Sequence, residues 1–244
     1  MNTADRRIAL ITGANKGIGL EVARQLGKAG HHILLGARDE ARGRAAEKTL
    51  RDEGIAVRYV TVDLGDSASL LAVAADIEAN EGRIDILVNT AGIAIQGDGL
   101  PGSTDLDVVR RTFETNFFGT VAVTQALLPL VKKSRAGRIV NVSSGLGSIA
   151  LNADPNWAYA AVKLTGYNAS KAALNMFTVL LAAELKDTGI KVNAVNPGYT
   201  ATDLNGNSGH QSIDEGAAET VRMAQSSDDG LTGGFTSTEG VEPW

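Results

Sequence analysis

Apolar and polar positions follow two rhythms along this chain. Short runs in which every position is apolar, such as Ile8-Ala9-Leu10-Ile11, give way to stretches with apolar residues at helical spacing, such as Leu20, Val22, Ala23, Leu26 and Ala29. The first rhythm fits a strand buried on both faces, and the second fits a helix with one buried stripe. Repetition of this switch predicts strands over 8–12, 32–36, 57–61, 85–88, 138–142, 190–195 and 233–236. It predicts helices over 17–29, 39–53, 67–81, 105–134, 166–187 and 214–224. Such alternation implies an α/β fold, a doubly wound parallel sheet of about seven strands with helices on both faces. No linker or internal repeat interrupts it, so residues 1–244 read as a single domain. Right-handed crossovers would bring the C-terminal ends of the strands to one edge. Three connections there are longer than a turn requires: 93–104, 145–166 and 199–213. Long connections at that edge are where substrate pockets are built.

The first strand runs into Thr12-Gly13-Ala14-Asn15-Lys16-Gly17-Ile18-Gly19. Glycines at these positions allow a tight turn and close approach of a pyrophosphate, and the following helix would point its free amides at the phosphates. The spacing is G-x-x-x-G-x-G rather than the G-x-G-x-x-G fingerprint of Rossmann-type dinucleotide folds. An ordinary strand-turn-helix is the alternative. In dinucleotide folds an acid ~20 residues after the glycines holds the ribose 2′-hydroxyl. Here the second strand ends Leu35-Gly36-Ala37-Arg38. Ala37 stands at the acid's position, and the Arg38 guanidinium suits a 2′-phosphate. Lys16 would add a second cation, and the pair favours NADPH over NADH. The plainer reading of Arg38 is a surface arginine opening a helix beside Asp39 and Glu40.

Tyr167 precedes Lys171 by four residues, one helical turn, so the two share a face. A lysine ammonium beside a phenol favours its ionised form, and a tuned phenol can give a proton to a carbonyl oxygen or take one from an alcohol. The spacing alone is weak, because a half-buried tyrosine with an extended lysine is common. A second copy, Tyr159 and Lys163, has the same spacing. Trp157 and Tyr159 follow a turn-rich run, Asp154-Pro155-Asn156, whereas Leu174, Phe177, Leu181 and Leu185 continue from Tyr167 as one apolar helix face.

Taken in order, the glycine turn at 12–19, Asp63-Leu64, Asn89-Thr90-Ala91-Gly92, Asn116 within TNFFGT, Ser143-Ser144, Tyr167 with Lys171, and Pro197-Gly198 resemble the short-chain dehydrogenase/reductases over nearly the whole chain. Within that family the sequence is most similar to NADPH-dependent carbonyl reductases. The resemblance implies a catalytic set of Asn116, Ser144, Tyr167 and Lys171. Ser144 would hold the substrate carbonyl oxygen, with Ser143 as its rival. Tyr167 would be the general acid, and Lys171 would lower its pKa and bind the nicotinamide ribose. Asn116 would hold a water leading to Lys171. The implied NADPH/NADP+ site comprises Gly13, Asn15, Lys16, Gly17, Ile18, Gly19, Arg38, Asp63, Leu64, Asn89, Ala91, Gly92, Tyr167, Lys171, Pro197, Gly198, Thr200 and Thr202. Asp63 would meet the adenine, Asn89 to Gly92 the ribose, and the segment from Pro197 to Thr202 the nicotinamide amide. Thr90 stands where the family usually has a second asparagine. The stretch from Gly145 to Gly166 is longer than the family norm by roughly ten residues, at the short end of carbonyl-reductase insertions.

Composition bounds the rest. Apolar residues make up 43% of the chain and net charge is −5 with signs interspersed, so a nucleic-acid partner is not expected. Lys132, Lys133, Arg135 and Arg138 cluster as a solvated helix end would. His31, His32 and His210 lack metal-ligand spacing, and no metal is expected. No apolar run nears twenty residues and the first residues lack a secretory apolar core, so no membrane association is expected. Absence of cysteine fits a cytoplasmic protein. The expected function is reduction of a small hydrophobic aldehyde or ketone by a monomer or small homo-oligomer. A 3-oxoacyl carrier reductase and a non-catalytic NADPH-sensing protein are the alternatives; the first would need a basic pocket mouth, and the second can lose the Tyr/Lys pair.

Overall fold

The computed structural model describes residues 6–244. The expectation that no leader opens the chain rests largely on Met1–Asp5, outside the described residues. Neighbouring positions of the strands serve two different cores. In the first strand, β1 (Ile8–Thr12), Ala9 and Ile11 pack into one apolar cluster, and Ile8 and Leu10 into the other. The first cluster is closed by α1 (Gly17–Lys28), α2 (Glu40–Asp52) and α8 (Ile213–Ala224). The second is closed by α3 (Ser67–Asn80), α5 (Thr120–Val131) and α7 (Thr165–Glu184). Burial on both faces is why strand positions are apolar without alternation. Each buried Leu or Ile contributes about 1.5–3 kcal/mol relative to exposure.

The remaining strands are β2 (His32–Ala37), β3 (Val57–Thr61), β4 (Ile86–Asn89), β5 (Arg138–Val142), β6 (Lys191–Val195), β7 (Phe235–Ser237) and β8 (Gly240–Val241). They form one sheet in the order β3-β2-β1-β4-β5-β6-β7-β8. The seven expected strands pair in parallel; β8 is an added antiparallel partner of β7, too short to show a pattern. Strand order reverses between β1 and β4, which sets a crevice beyond the C-terminal ends of these strands. Register places Thr12 opposite both Gly36 and Asn89, so the motif residues meet there.

Two expectations change. The helix predicted over 105–134 is α4 (Leu106–Phe113), a wide π turn at Glu114–Gly119 and α5. Gly119 lies in that turn because a Cβ there would come 2.7 Å from the Leu64 Cβ. The connection over 145–166 contains a tight turn at Gly145–Gly147 and α6 (Ile149–Ala153). No helix among the described residues is long and apolar enough to cross a membrane. The described residues also contain no cluster of three or more His, Asp or Glu side chains placed to hold a metal.

Candidate active site

The glycine turn interlocks with the turn after β4. A Cβ on Gly13, which has φ +65°, would lie 2.9 Å from the Ala91 Cα, and one on Gly19 would lie 2.6 Å from the Gly13 carbonyl oxygen. Gly17 also has positive φ, +56°. Thr12 Oγ1 accepts from the amides of Thr90 (3.2 Å) and Ala91 (3.3 Å), and the Thr90 hydroxyl donates back to the Thr12 carbonyl. The departure at Thr90 therefore locks two turns together. No side chain caps α1, so its first amides face the crevice unpartnered by a cap. That cradle, closed to any Cβ and open at a helix N-terminus, fits a pyrophosphate.

At the end of β2, Ala37 is buried and Arg38 is exposed. Arg42 pairs with Asp39 at 3.4 Å, and the Asp39 carboxylate caps α2, so neither engages Arg38. Lys16 is engaged in an exposed ion pair. Its Nζ lies 2.9 Å from Asp203 Oδ2 in the connection after β6, and both side chains are more than half exposed. The pair holds the Asp203 carboxyl below the usual carboxylate range. Asp63 accepts from the Gly65 amide at 3.0 Å, and Leu64 packs on the second core.

Asn89 ends β4. Its amide is buried and donates to Asn141 Oδ1 (2.9 Å) and Thr124 Oγ1 (3.1 Å), away from the crevice. Asn141 in turn donates to Thr178 at 2.9 Å, so these residues form a polar ladder through the sheet core. The Asn89 amide nitrogen is satisfied in this way, whereas its Oδ1 is buried without a partner. Ala91 and Gly92 remain at the crevice. Thr200 is likewise turned in: it is 4% exposed and donates to the Pro197 carbonyl at 3.2 Å. Thr202 instead stands against the glycine turn, its Cγ2 3.8 Å from a Cβ built on Gly17. Gly198 has φ +75°, and its amide donates to Asn196 Oδ1 at 3.1 Å, shaping the Pro197-Gly198 turn.

The two serines at the end of β5 separate cleanly. Ser143 is buried and donates to Asn175 Oδ1 at 2.6 Å. Ser144 is half-buried, accepts from the Leu146 amide at 3.1 Å, and lies beside the Tyr167 phenol. Burial pushes that phenol above its ordinary range, and the Ser144 hydroxyl only partly offsets it. Lys171 is 4% exposed; its Nζ donates to the Val142 carbonyl at 2.8 Å and lies 5.8 Å from the Tyr167 ring centre. Burial lowers the ammonium to about 8. In the protein alone, desolvation is the largest influence on both groups.

Asn116, in the π turn, is fully buried. Its Oδ1 accepts from the Ile93 amide (2.8 Å), and its Nδ2 donates to the Ile93 carbonyl (2.9 Å) and Ser170 Oγ (3.1 Å). A Cβ built on Gly92 would lie 3.5 Å from both Asn116 Oδ1 and Lys171 Nζ. The two polar atoms therefore border one small space.

Tyr159 keeps different company from Tyr167. Its ring meets Trp157 edge-on at 5.5 Å and Tyr199 at 5.8 Å, and Tyr199 meets His210 at 5.8 Å. Lys163 donates to the Asn152 carbonyl at 3.2 Å, and Asn152 Oδ1 accepts from Asn168 on α7. A Cβ on Gly145 would lie 3.3 Å from Trp157 Cζ2, so this aromatic row begins beside Ser144. Asp98, not singled out from sequence, accepts from the amides of Gly166 and Tyr167 at the start of α7.

The profile of the short chain dehydrogenase family matches residues 7–213. The chain belongs to that family. It is 36% identical to short-chain dehydrogenase anuI of Penicillium roqueforti, over 92% of this chain and 90% of that protein. It is 32% identical to mouse carbonyl reductase [NADPH] 1, over 99% of this chain and all of the relative. That alignment spans 286 positions against 244 residues, so the mouse protein has segments with no counterpart here. The NADPH-bound carbonyl reductase from chicken fatty liver superposes with a TM-score of 0.85 at 27% identity, covering 98% of this chain and 99% of that one.

Proposed function

We propose that this short-chain dehydrogenase reduces small hydrophobic aldehydes or ketones to alcohols with NADPH. The observation that carries the reading is the convergence of three groups: the half-buried Ser144 hydroxyl beside the buried Tyr167 phenol, with the buried Lys171 ammonium at the same ring. The similar carbonyl reductases named for NADPH support it.

NADPH, when bound, supplies the hydride. The glycine turn and the first amides of α1 would hold its pyrophosphate, and Arg38 its 2′-phosphate. Lys171 would bind a hydroxyl of the nicotinamide ribose. Ser144 would orient the substrate carbonyl oxygen toward Tyr167, whose phenol donates the proton. Burial favours the protonated phenol in the protein alone, and the nearby Lys171 ammonium would bring it toward the range that proton transfer needs. The space between Asn116 Oδ1 and Lys171 Nζ would carry the returning proton. Trp157, Tyr159 and Tyr199, packed ring to ring beside Ser144, would give a substrate there an apolar flank, which favours hydrophobic carbonyl compounds over sugars or hydroxy acids.

NADPH oxidation against a panel of aldehydes, ketones, quinones and acyl thioesters tests the reading. Turnover dominated by polar sugars or hydroxy acids contradicts it, and turnover dominated by acyl thioesters favours the carrier reductase. A cytoplasmic location and a monomer or small homo-oligomer belong to the same reading; cell fractionation and light scattering check them.

A further inference from the structure

The helix that carries Tyr167 lacks a cap of its own. Leu164 occupies the capping position and offers no side-chain acceptor. The cap arrives from 68 and 69 positions upstream. Asp98 Oδ1 accepts from the Gly166 amide at 2.9 Å, and Oδ2 accepts from the Tyr167 amide at 2.8 Å. Beside it, the Thr165 hydroxyl and amide both donate to the Gly99 carbonyl, at 2.6 Å and 3.0 Å. The approach is close: a Cβ on Gly166 would lie 3.2 Å from Asp98 Oδ2 and 3.2 Å from Thr112 Oγ1. The same connection begins at Ile93, whose backbone is held twice by the Asn116 side chain. One loop thus grips the helix start at Tyr167 and the π turn at Asn116.

We infer that Asp98 is a positioning residue for the reaction, holding Tyr167 at its depth beside Ser144 through the tyrosine's own amide. This rests on the reading of Tyr167 as proton donor. An ordinary cap accepts one amide bond from within its own helix start. Asp98 uses both carboxylate oxygens, one on the reacting residue, and it stands on a connection that borders the crevice. Displacing the first turn of α7 would move the phenol relative to Ser144, and misplacement by ~1 Å costs on the order of 10²-fold in rate.

The test compares Asp98→Ala and Asp98→Asn with Asp66→Ala, which removes an ordinary cap from α3 (the Asp66 carboxylate accepts from the Ala68 amide at 2.9 Å). Melting temperature, NADPH Kd, KM and kcat for a carbonyl compound turned over by the parent are measured for each. Both alanine variants are expected to lose a similar few degrees of melting temperature. Only Asp98→Ala is expected to lose about tenfold or more in kcat, with NADPH Kd within about twofold of parent. Asp98→Asn keeps one acceptor at the same volume and should fall between; it decides the matter if Asp98→Ala does not fold. Parent-like kcat in the Asp98 variants, with only melting temperature lowered, overturns the inference while leaving the reductase reading standing. A parent that oxidises NADPH with no carbonyl compound overturns both.

Discussion

Lys16 and Asp203 lie 187 positions apart and form a 2.9 Å ion pair that bridges the glycine turn and the connection after β6. Both partners are more than half exposed, so solvent screens the pair, and it adds little stability and is readily exchanged. A 2′-phosphate near Lys16 would compete with Asp203 for the same ammonium. Arg38 has no such competitor among the described residues.

Cofactor titration should therefore separate the two cations. Arg38→Ala should weaken NADPH by roughly 10- to 150-fold, the equivalent of about 1.5–3 kcal/mol for a charged hydrogen bond, and leave NADH nearly unchanged. Asp203→Asn should tighten NADPH by a few-fold at most, because it frees Lys16 from an exposed pair. Fluorescence titration at low and high salt checks both. Equal affinities of the parent for NADPH and NADH would sink the assignment.

Ser143 and Ser144 should lose different properties. The Ser143 hydroxyl is buried on Asn175, so Ser143→Ala should lower stability by about 1–3 kcal/mol through the unsatisfied amide, with kcat near parent. Ser144→Ala should lower kcat by about 10²-fold or more with little change in melting temperature, since it removes a group that orients the reacting oxygen. Loss of kcat in Ser143→Ala alone would exchange their roles.

The sheet was legible because its strands are buried on both faces and its helices on one, so each rhythm had a physical cause. β8 and α6 were not, being too short to show a period. The π turn hid inside a helix-compatible run; Gly119, pressed against Leu64, was the local sign. Among site residues, Lys171 and Tyr167 were singled out by spacing plus context. The inward hydrogen bonds of Asn89 and Thr200 were not legible, because sequence cannot say which way a polar side chain turns. Asp98 was missed because its partners are amides of a helix whose own capping position holds Leu164.

Lys171 should leave a signature in stability against pH. Its folded-state value of about 8 lies below the unfolded value near 10.4, so the unfolded chain binds more protons between them. Stability from this group therefore rises with pH across that window, and the buried ammonium costs about 3 kcal/mol below it. Lys171→Met should remove the cost, raising the melting temperature at pH 7 and flattening the rise between about pH 8 and 10. Turnover should be lost at the same time. Calorimetry of both proteins across pH checks this; an unchanged slope would mean that Lys171 keeps its ordinary value in the fold.

Two tyrosines stand four residues before a lysine, and only their surroundings tell them apart. Tyr159 lies in an aromatic row with Trp157 and Tyr199, and Lys163 is committed to the Asn152 carbonyl. Tyr167 is buried against Ser144, with Lys171 below its ring. Removing the hydroxyl from a general acid should cost about 10²-fold or more in the chemical step. Tyr167→Phe should therefore nearly abolish single-turnover NADPH oxidation while NADPH still binds, because the ring continues to pack. Tyr159→Phe keeps its edge-on contacts and should alter KM or substrate preference at most. Rapid-mixing measurements on both variants, with NADPH Kd determined in parallel, decide between them. If Tyr159→Phe is the inactive protein, the acid belongs to the aromatic row, and the roles assigned to Ser144 and Lys171 fall with it.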